Sequence, residues 1–242
     1  MSKTKIEWVD RVINPTTGCT KISEGCQNCY AEKMAKRLQN IMPKYKNGFK
    51  LTMHDIQNTM KNVVKRKKPT SYFVNSMSDL FHKDVPLHYI RQVFAVMQKV
   101  PQHQFLILTK RAERLKELAP QLKFSPNIWM GVSVELAKYY NRIDCLLETP
   151  AHIKFLSLEP LLGPLPDLPL EGIDWVIVGC ESGQNYRQVQ LEWIRMIRNQ
   201  CVGELVPFFF KQFGGNKGPC GCHDAKGCCL LDGKIWKQYP SI

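Results

Sequence analysis

The sequence predicts an α/β fold, a full or partial (β/α) barrel of parallel strands, and three observations carry that expectation. Short apolar runs rich in Val, Ile, Phe and Leu recur along the chain, the segments between them are mostly long enough for a helix, and the residues just after each run are polar or ionisable. Near-continuous apolar strands alternating with helices mark a parallel sheet covered on both faces. Polar residues at the carboxyl ends of the strands mark the working face of a barrel. An open doubly wound sheet is the competing arrangement.

In chain order the runs are 71–75, 104–109, 127–134, 154–158, 175–179 and 207–211, all of strand length and composition. Residues 86–100 read as a helix with Ile90, Val93, Phe94 and Met97 on one face. Segments 111–122, 136–147 and 191–201 read the same way. Residues 30–70 stand outside the alternation and look helical. Their basic stretch, 61–68, reads either as a solvated helix face or as a phosphate-contacting edge. The expected division is a barrel domain over 1–214 and a Cys-rich metal-binding tail over 215–242 packed on it.

The 242 residues suffice for a core without disulfides. There are 34 Lys and Arg against 21 Asp and Glu, a formal net charge of +13. Such a surface attracts polyanions through counterion release, so nucleic acid is the expected partner. The first ten residues show no apolar signal region and no run is long enough to span a bilayer. A cytoplasmic location and no membrane partner are therefore expected, and ten cysteines there point to metal or redox chemistry. His82, His88 and His103 read as surface or helix-packing residues. No Ser-His-Asp arrangement and no phosphate loop is visible, which ranks hydrolase and nucleotide triphosphatase chemistry low.

The first cysteine cluster, Gly18-Cys19-Thr20-Lys21-Ile22-Ser23-Glu24-Gly25-Cys26-Gln27-Asn28-Cys29-Tyr30, has the spacing C-x6-C-x2-C. Three thiolates in a short loop can converge on one metal centre. Iron–sulfur clusters take thiolate ligands, and a four-iron cluster with only three leaves one iron open. Structural zinc is the rival and needs a fourth ligand.

Three closely spaced cysteines in the first loop of a barrel resemble the radical S-adenosylmethionine (SAM) enzymes, whose usual spacing has a shorter first gap. The wider chain resembles a phage-associated radical-SAM-like family. The likeness runs through Asn14-Pro15-Thr16-Thr17-Gly18-Cys19, Gly25-Cys26-Gln27-Asn28-Cys29-Tyr30-Ala31-Glu32, Asn75-Ser76-Met77-Ser78-Asp79-Leu80-Phe81 and Leu108-Thr109-Lys110-Arg111. It continues in Gly131-Val132-Ser133-Val134-Glu135, Leu156-Ser157-Leu158-Glu159-Pro160-Leu161-Leu162, Glu181-Ser182-Gly183 and Phe210-Lys211-Gln212. DNA photoproduct lyases of the same superfamily are more distantly similar.

The resemblance implies a 4Fe-4S cluster on Cys19, Cys26 and Cys29, whose open iron chelates S-adenosyl-L-methionine, and an electron donor such as flavodoxin or ferredoxin. One electron then yields a 5′-deoxyadenosyl radical, expected to act on a nucleic acid or nucleotide in base modification or repair. It implies Ser76, Ser78 and Asp79 near the methionine amine, Ser133 and Glu135 near the ribose, and Tyr30 near the adenine, because Asn28 occupies the usual aromatic position. Lys110, Arg111, Glu159, Glu181 and Lys211 would face the substrate, and Cys180 could give it a hydrogen atom. Each has a plainer reading: a helix cap for Asp79, an ion pair with Lys110 or Arg111 for Glu135, and a buried small residue for Cys180.

In the tail, Cys220, Cys222, His223, Cys228 and Cys229 fall within ten residues. They can close a tetrahedral zinc shell or hold a second iron–sulfur cluster. Cys145 and Cys201 fall in expected helices and read as core. The alternatives for the whole chain are a radical SAM enzyme on a peptide or small metabolite, and a zinc-dependent nucleic-acid-binding module without catalysis.

Overall fold

A computed structural model describes residues 4, 6–181, 186–214 and 230–241. Seven strands form one sheet: β1 (Arg11–Ile13), β2 (Thr70–Val74), β3 (His103–Thr109), β4 (Ile128–Ser133), β5 (Lys154–Leu158), β6 (Trp175–Val178) and β7 (Phe208–Phe210). Each pairs in parallel with its predecessor in this order. A parallel sheet wound steadily in one direction puts its right-handed crossovers on a single face. The result is a curled half-barrel, with β1 and β7 at its open edges. Helices α1 (Tyr30–Leu38), α2 (Ile56–Lys65), α3 (Leu87–Gln98), α4 (Ala112–Leu118), α5 (Asn141–Leu147) and α6 (Leu191–Gly203) accompany the sheet.

The period of two along each strand divides the apolar residues between two cores. Tyr72, Val74, Phe105, Ile107, Met130, Val132, Leu156, Leu158, Val176, Val178, Phe208 and Phe210 share a core with residues of α2, α3, α4, α5 and α6. Their alternates Phe73, Leu106, Trp129, Phe155, Trp175, Ile177 and Phe209 meet Trp8 and Val9 on the concave face. Trp175 is the hub there, with ring centroids 6.4 Å from Trp8, 6.3 Å from Trp129, 6.0 Å from Phe155 and 5.9 Å from Phe209. The lower half of the barrel interior is thus solid with aromatic rings. Gly131 makes this fit, since a Cβ there would lie 2.5 Å from the Phe155 ring.

The expected strands appear within a residue or two of their sequence positions. β1 was not foreseen, because three residues carry too little periodicity. The expected helix over 136–147 starts as a 3-10 turn, Ala137–Tyr139, before α5. The one over 111–122 gives way to a 3-10 turn at Ala119–Gln121, which contains Pro120. No helix joins β5 to β6. Pro160, Pro164, Pro166 and Pro169 disfavour one, and Leu161, Leu165, Leu168, Leu170 and Ile173 fill the helix-side core instead.

The exposed edge of β7 is covered by the chain's last described stretch, which limits pairing with other chains. Phe210 N–H donates to Trp236 O at 2.8 Å and Gln238 N–H to Phe208 O at 3.2 Å. Lys237 then reaches back to Glu7 at 2.5 Å. The basic stretch 61–68 ends α2 and leads into the amino end of β2, opposite the carboxyl ends of the strands. Cys145 and Cys201 are buried in the helix-side core. Cys220, Cys222, His223, Cys228 and Cys229 lie outside the described residues. No helix among the described residues is long and apolar enough to cross a membrane.

Gly131→Ala is expected to destabilise the fold by about 1–3 kcal/mol by overpacking against Phe155, read as a lower midpoint in chemical denaturation.

Candidate functional site

The inward parity of the strands continues past their carboxyl ends. Asn75, Lys110, Glu135, Glu159 and Lys211 each follow by two residues, and Glu181 by four, an inward position of the strand below. Apolar below and charged above, the concave face ends in a ring of ionisable groups at the mouth.

The cysteine loop lies across that mouth. Gly18 opens it at φ +80°, and a Cβ there would lie 2.2 Å from Lys50 O, so backbone sign and space both demand glycine. Gly18 N–H donates to Met77 O at 2.9 Å and Cys19 N–H to Phe49 O at 3.1 Å. A 3-10 turn spans Glu24–Cys26, and Cys29 is the N-cap of α1.

Three strand-end carboxylates suspend this loop. Asp79 accepts from Thr109 Oγ1 at 2.8 Å and from Phe81 N–H at 2.9 Å. Its other oxygen takes Lys110 N–H at 3.2 Å and Arg111 Nη1 at 2.9 Å. Arg111 in turn donates to Cys19 Sγ at 3.5 Å and to Thr20 O and Oγ1 at 3.0 Å. Glu135, wholly buried, accepts from Ser23 Oγ at 2.6 Å, Lys110 Nζ at 2.7 Å and Arg142 Nη1 at 2.7 Å. Gly25 packs on the same carboxylate, where a Cβ would sit 2.2 Å from Oε1. Glu181 accepts from Asn28 Nδ2 at 2.9 Å and is clamped by Arg187 at 2.5–3.1 Å. Arg187 also donates to Glu24 O at 3.1 Å.

The fourth mouth carboxylate is different. Glu159 binds Lys211 Nζ at 2.5 Å, both side chains about a quarter exposed, and among the described residues neither hydrogen-bonds to the cysteine loop. Gly179 keeps room for the pair, since a Cβ there would lie 2.9 Å from the Glu159 carboxyl carbon.

Electrostatics follow from these contacts. Burial works to raise the Glu135 carboxyl, but Lys110 and Arg142 outweigh it and hold it below its ordinary value. Burial likewise opposes the lowered state of Glu181, which its bonds from Arg187 and Asn28 secure. The Cys19 thiol is pushed up to about 11 by burial, with Arg111 pulling the other way. Cys19, Cys26 and Cys29 are free, partly exposed thiols. Among the described residues no three His, Cys, Asp or Glu side chains are placed to share one metal ion.

This geometry frames the comparisons. A family model described as "Protein of unknown function (DUF5131)" matches residues 3–240. The chain belongs to that family. No curated protein matches it significantly. Among solved structures, spore photoproduct lyase complexed with dinucleoside spore photoproduct is similar at TM-score 0.53 and 12% identity, over 87% of this chain and 58% of that one. A cysteine-to-serine mutant of spore photoproduct lyase gives 0.54 and 13%, over 88% and 58%. A double mutant with bound AdoMet and dinucleoside spore photoproduct gives 0.52 and 11%, over 88% and 58%. At such identity the likeness is one of fold, and this chain spans under two thirds of those proteins' length. None of these findings bears on a phage association.

Most of the residues expected from the sequence meet at this mouth. Tyr30 donates its hydroxyl to Ser76 O. Ser78 Oγ donates to Thr16 O at 2.8 Å and receives Asn75 Nδ2 at 2.5 Å. Ser133 is buried at the end of β4, and its carbonyl takes Arg142 Nη1 at 2.7 Å. Cys180 stands apart. It belongs to the helix-side core, and burial pushes its thiol up to about 12. Ser182 and Gly183 lie outside the described residues.

Sequence reading missed five participants. Arg187 and Arg142 belong to no motif, and Asn28 stood out only as a departure from an aromatic. His82, expected at the surface or in helix packing, is fully buried and shares a 2.8 Å hydrogen bond with Thr20 in the cysteine loop. Asn75, inside a motif, went unremarked. It has φ 65°, and its Oδ1 is buried with no hydrogen-bond partner.

Glu135→Gln is expected to cost about 3 kcal/mol, because it leaves the buried cation of Arg142 without its counter-charge. In the wild type, Glu135 stabilises the fold above its ordinary pKa of 4.5 and that contribution fades as pH falls through its lower folded value. Denaturation between pH 2 and 7 should therefore show a shallower acid limb in about the proportion that this one carboxylate contributes.

Proposed function

We propose that this chain is a radical S-adenosylmethionine enzyme acting on a nucleic acid or nucleotide, with Cys19, Cys26 and Cys29 holding a 4Fe-4S cluster. One observation carries the reading: a three-cysteine loop is hung by strand-end side chains across the carboxyl mouth of a parallel half-barrel.

The donor set fits the group. It is all sulfur, unbridged and partly exposed. Thiolates on a four-iron cluster bind different irons and need not share one ion's coordination sphere, in keeping with the absence of a single-ion site among the described residues. One acceptor at the mouth suits S-adenosylmethionine. Asp79, with four donors upon it, is spoken for. The buried, unpartnered Asn75 Oδ1 at the same strand end is an acceptor available to an ammonium group. When bound, the pair supplies a one-electron cleavage of the sulfonium to a 5′-deoxyadenosyl radical.

The protein's own groups have distinct tasks. Arg111 donates to Cys19 Sγ and balances its charge as a thiolate. Glu135 and Glu181 fix the loop. Ser78 holds the Asn75 amide, Tyr30 is anchored on Ser76 O, and the Ser133 carbonyl holds Arg142. Lys211 and Glu159, bound to each other and partly exposed, are the groups left to meet a substrate, while Lys110 is held by Glu135. Cys180 would need to leave the core to give up a hydrogen atom. The net charge of +13 favours a polyanion. The similar spore photoproduct lyase structure with bound AdoMet and dinucleoside spore photoproduct supports the same class. Cys220, Cys222, His223, Cys228 and Cys229 are proposed as a second site for zinc or a cluster.

Anaerobic reconstitution with iron and sulfide should give a brown protein that forms 5′-deoxyadenosine from S-adenosylmethionine and dithionite, and Cys26→Ala should abolish both. A colourless protein holding zinc alone would overturn the reading in favour of a non-catalytic module. Binding of single-stranded DNA should fall steeply between 50 and 200 mM salt, by about tenfold or more; a flat response would point to a peptide or small metabolite.

A further inference from the structure

The positive charge of this chain is concentrated. Residues 30–70 hold eleven Lys and Arg against two Asp and Glu, so nine of the thirteen net charges fall on one stretch. That stretch lies in the crossover from β1, an edge strand, to β2. Of its two acids, Glu32 is held by Lys21 at 3.1 Å and Lys36 at 2.8 Å. Asp55 caps α2 and accepts Asn58 N–H at 2.8 Å.

Within the crossover, α2 runs from the mouth to the amino end of the sheet. Thr16–Thr17, which lead into the cysteine loop, pair antiparallel with Thr52–Met53, and α2 starts three residues later. It ends short of the first residue of β2. Its ten residues span about 15 Å. Ile56, Met60 and Val63 are buried. Gln57, Asn58, Lys61, Asn62 and Lys65 are exposed, with no acid among them. Exposed Lys46 and Lys50 extend the row at the mouth, where Lys50 and Cys19 line one open cleft of about 490 Å³. Exposed Lys67 and Lys68 extend it at the amino end. Among the described residues, none of these six lysines makes an ion pair. A solvated helix face ordinarily intersperses both signs at spacings of three and four. Here Lys61 and Lys65 repel each other across one turn.

We propose that this row is a track for the sugar–phosphate backbone of a polynucleotide, so that the base acted on at the mouth is carried in a polymer and not in a free nucleotide. The inference rests on the reading above, in which the mouth works on a nucleic acid or nucleotide, and it narrows that choice. Lysine and side-chain amides donate to phosphate oxygens. One strand presents a phosphate about every 3.4 Å, so α2 alone faces about four of them. A mononucleotide cannot reach from Lys50 to Lys68. Residues 50–71 contain no Phe, Tyr or Trp, so no ring is offered for a base to stack on and the grip does not depend on base sequence. Val64 is the one large apolar side chain exposed on α2. It supplies neither the apolar centre that a protein interface needs nor the apolar face that a lipid surface needs.

The test uses the reconstituted full chain and mixed-sequence single-stranded DNA of graded length. Affinity should rise with length until the strand covers the row. The variant Lys61→Gln/Lys65→Gln/Lys67→Gln/Lys68→Gln should bind the longest strand about tenfold or more weakly, and its salt dependence should flatten by about 0.7 in slope for each lysine removed. The variant Lys83→Gln/Lys116→Gln/Lys123→Gln/Lys234→Gln, which loses the same charge elsewhere, should bind close to wild type. Wild-type affinity that is absent or independent of length overturns the track. So does an unchanged affinity in the first variant, or an equal loss in the second, which would assign the effect to net charge alone. Loss of binding to phosphatidylserine vesicles in the first variant, with strand affinity intact, overturns it in favour of a lipid surface. Failure of the enzymatic reading is separate: it shows as no 5′-deoxyadenosine from the wild type with dithionite, whatever the strand does.

Discussion

A buried carboxylate must be surrounded by donors, and at this mouth many of those donors belong to, or reach, the cysteine loop. Asp79, Glu135 and Glu181 are each 5% exposed or less. Once removed from water, an unpaired charge of that kind costs several kcal/mol. The fold therefore satisfies them with Arg111, Ser23, Lys110, Arg142, Asn28 and Arg187. Because Ser23 and Asn28 are loop residues and Arg111 and Arg187 bridge to the loop, the demand for charge balance also fixes where the thiols stand. Positioning is thus a by-product of burial rather than of stiffness in the loop itself.

The sheet could be read from the sequence because strands buried on both faces are locally conspicuous. Lys154–Leu158 needed no information from elsewhere in the chain. Lys110, Glu159, Glu181 and Lys211 were also legible, since each follows an apolar run directly. Their division of labour was not. Nothing local separates Glu135 and Glu181, which hold the loop, from Glu159, which among the described residues pairs with Lys211. That depends on Arg142 and Arg187, which come from α5 and from the stretch before α6. His82 was misjudged for the same reason: its partner Thr20 lies 62 residues away. β1 escaped because three residues cannot display a period.

The two halves of the barrel interior do different jobs. Below, Trp8, Phe73, Trp129, Phe155, Trp175 and Phe209 form a rigid plug, which closes the amino end to solvent and supports the strand ends above it. Above, the same alternation delivers charge. The boundary falls where small residues, Gly131 and Gly179, leave space for Phe155 and for the Glu159 carboxyl. Polarity and rigidity are thereby stacked along one axis, so the mouth can hold ionisable groups in fixed places without a large polar core.

The covering of β7 by the last described stretch rests on two anchors. Gly214 packs on Tyr186, and Leu231 is fully buried. Closure entropy between two fixed points grows only logarithmically with the length of chain joining them, so the anchors, more than the length of the connection, set the register at this edge.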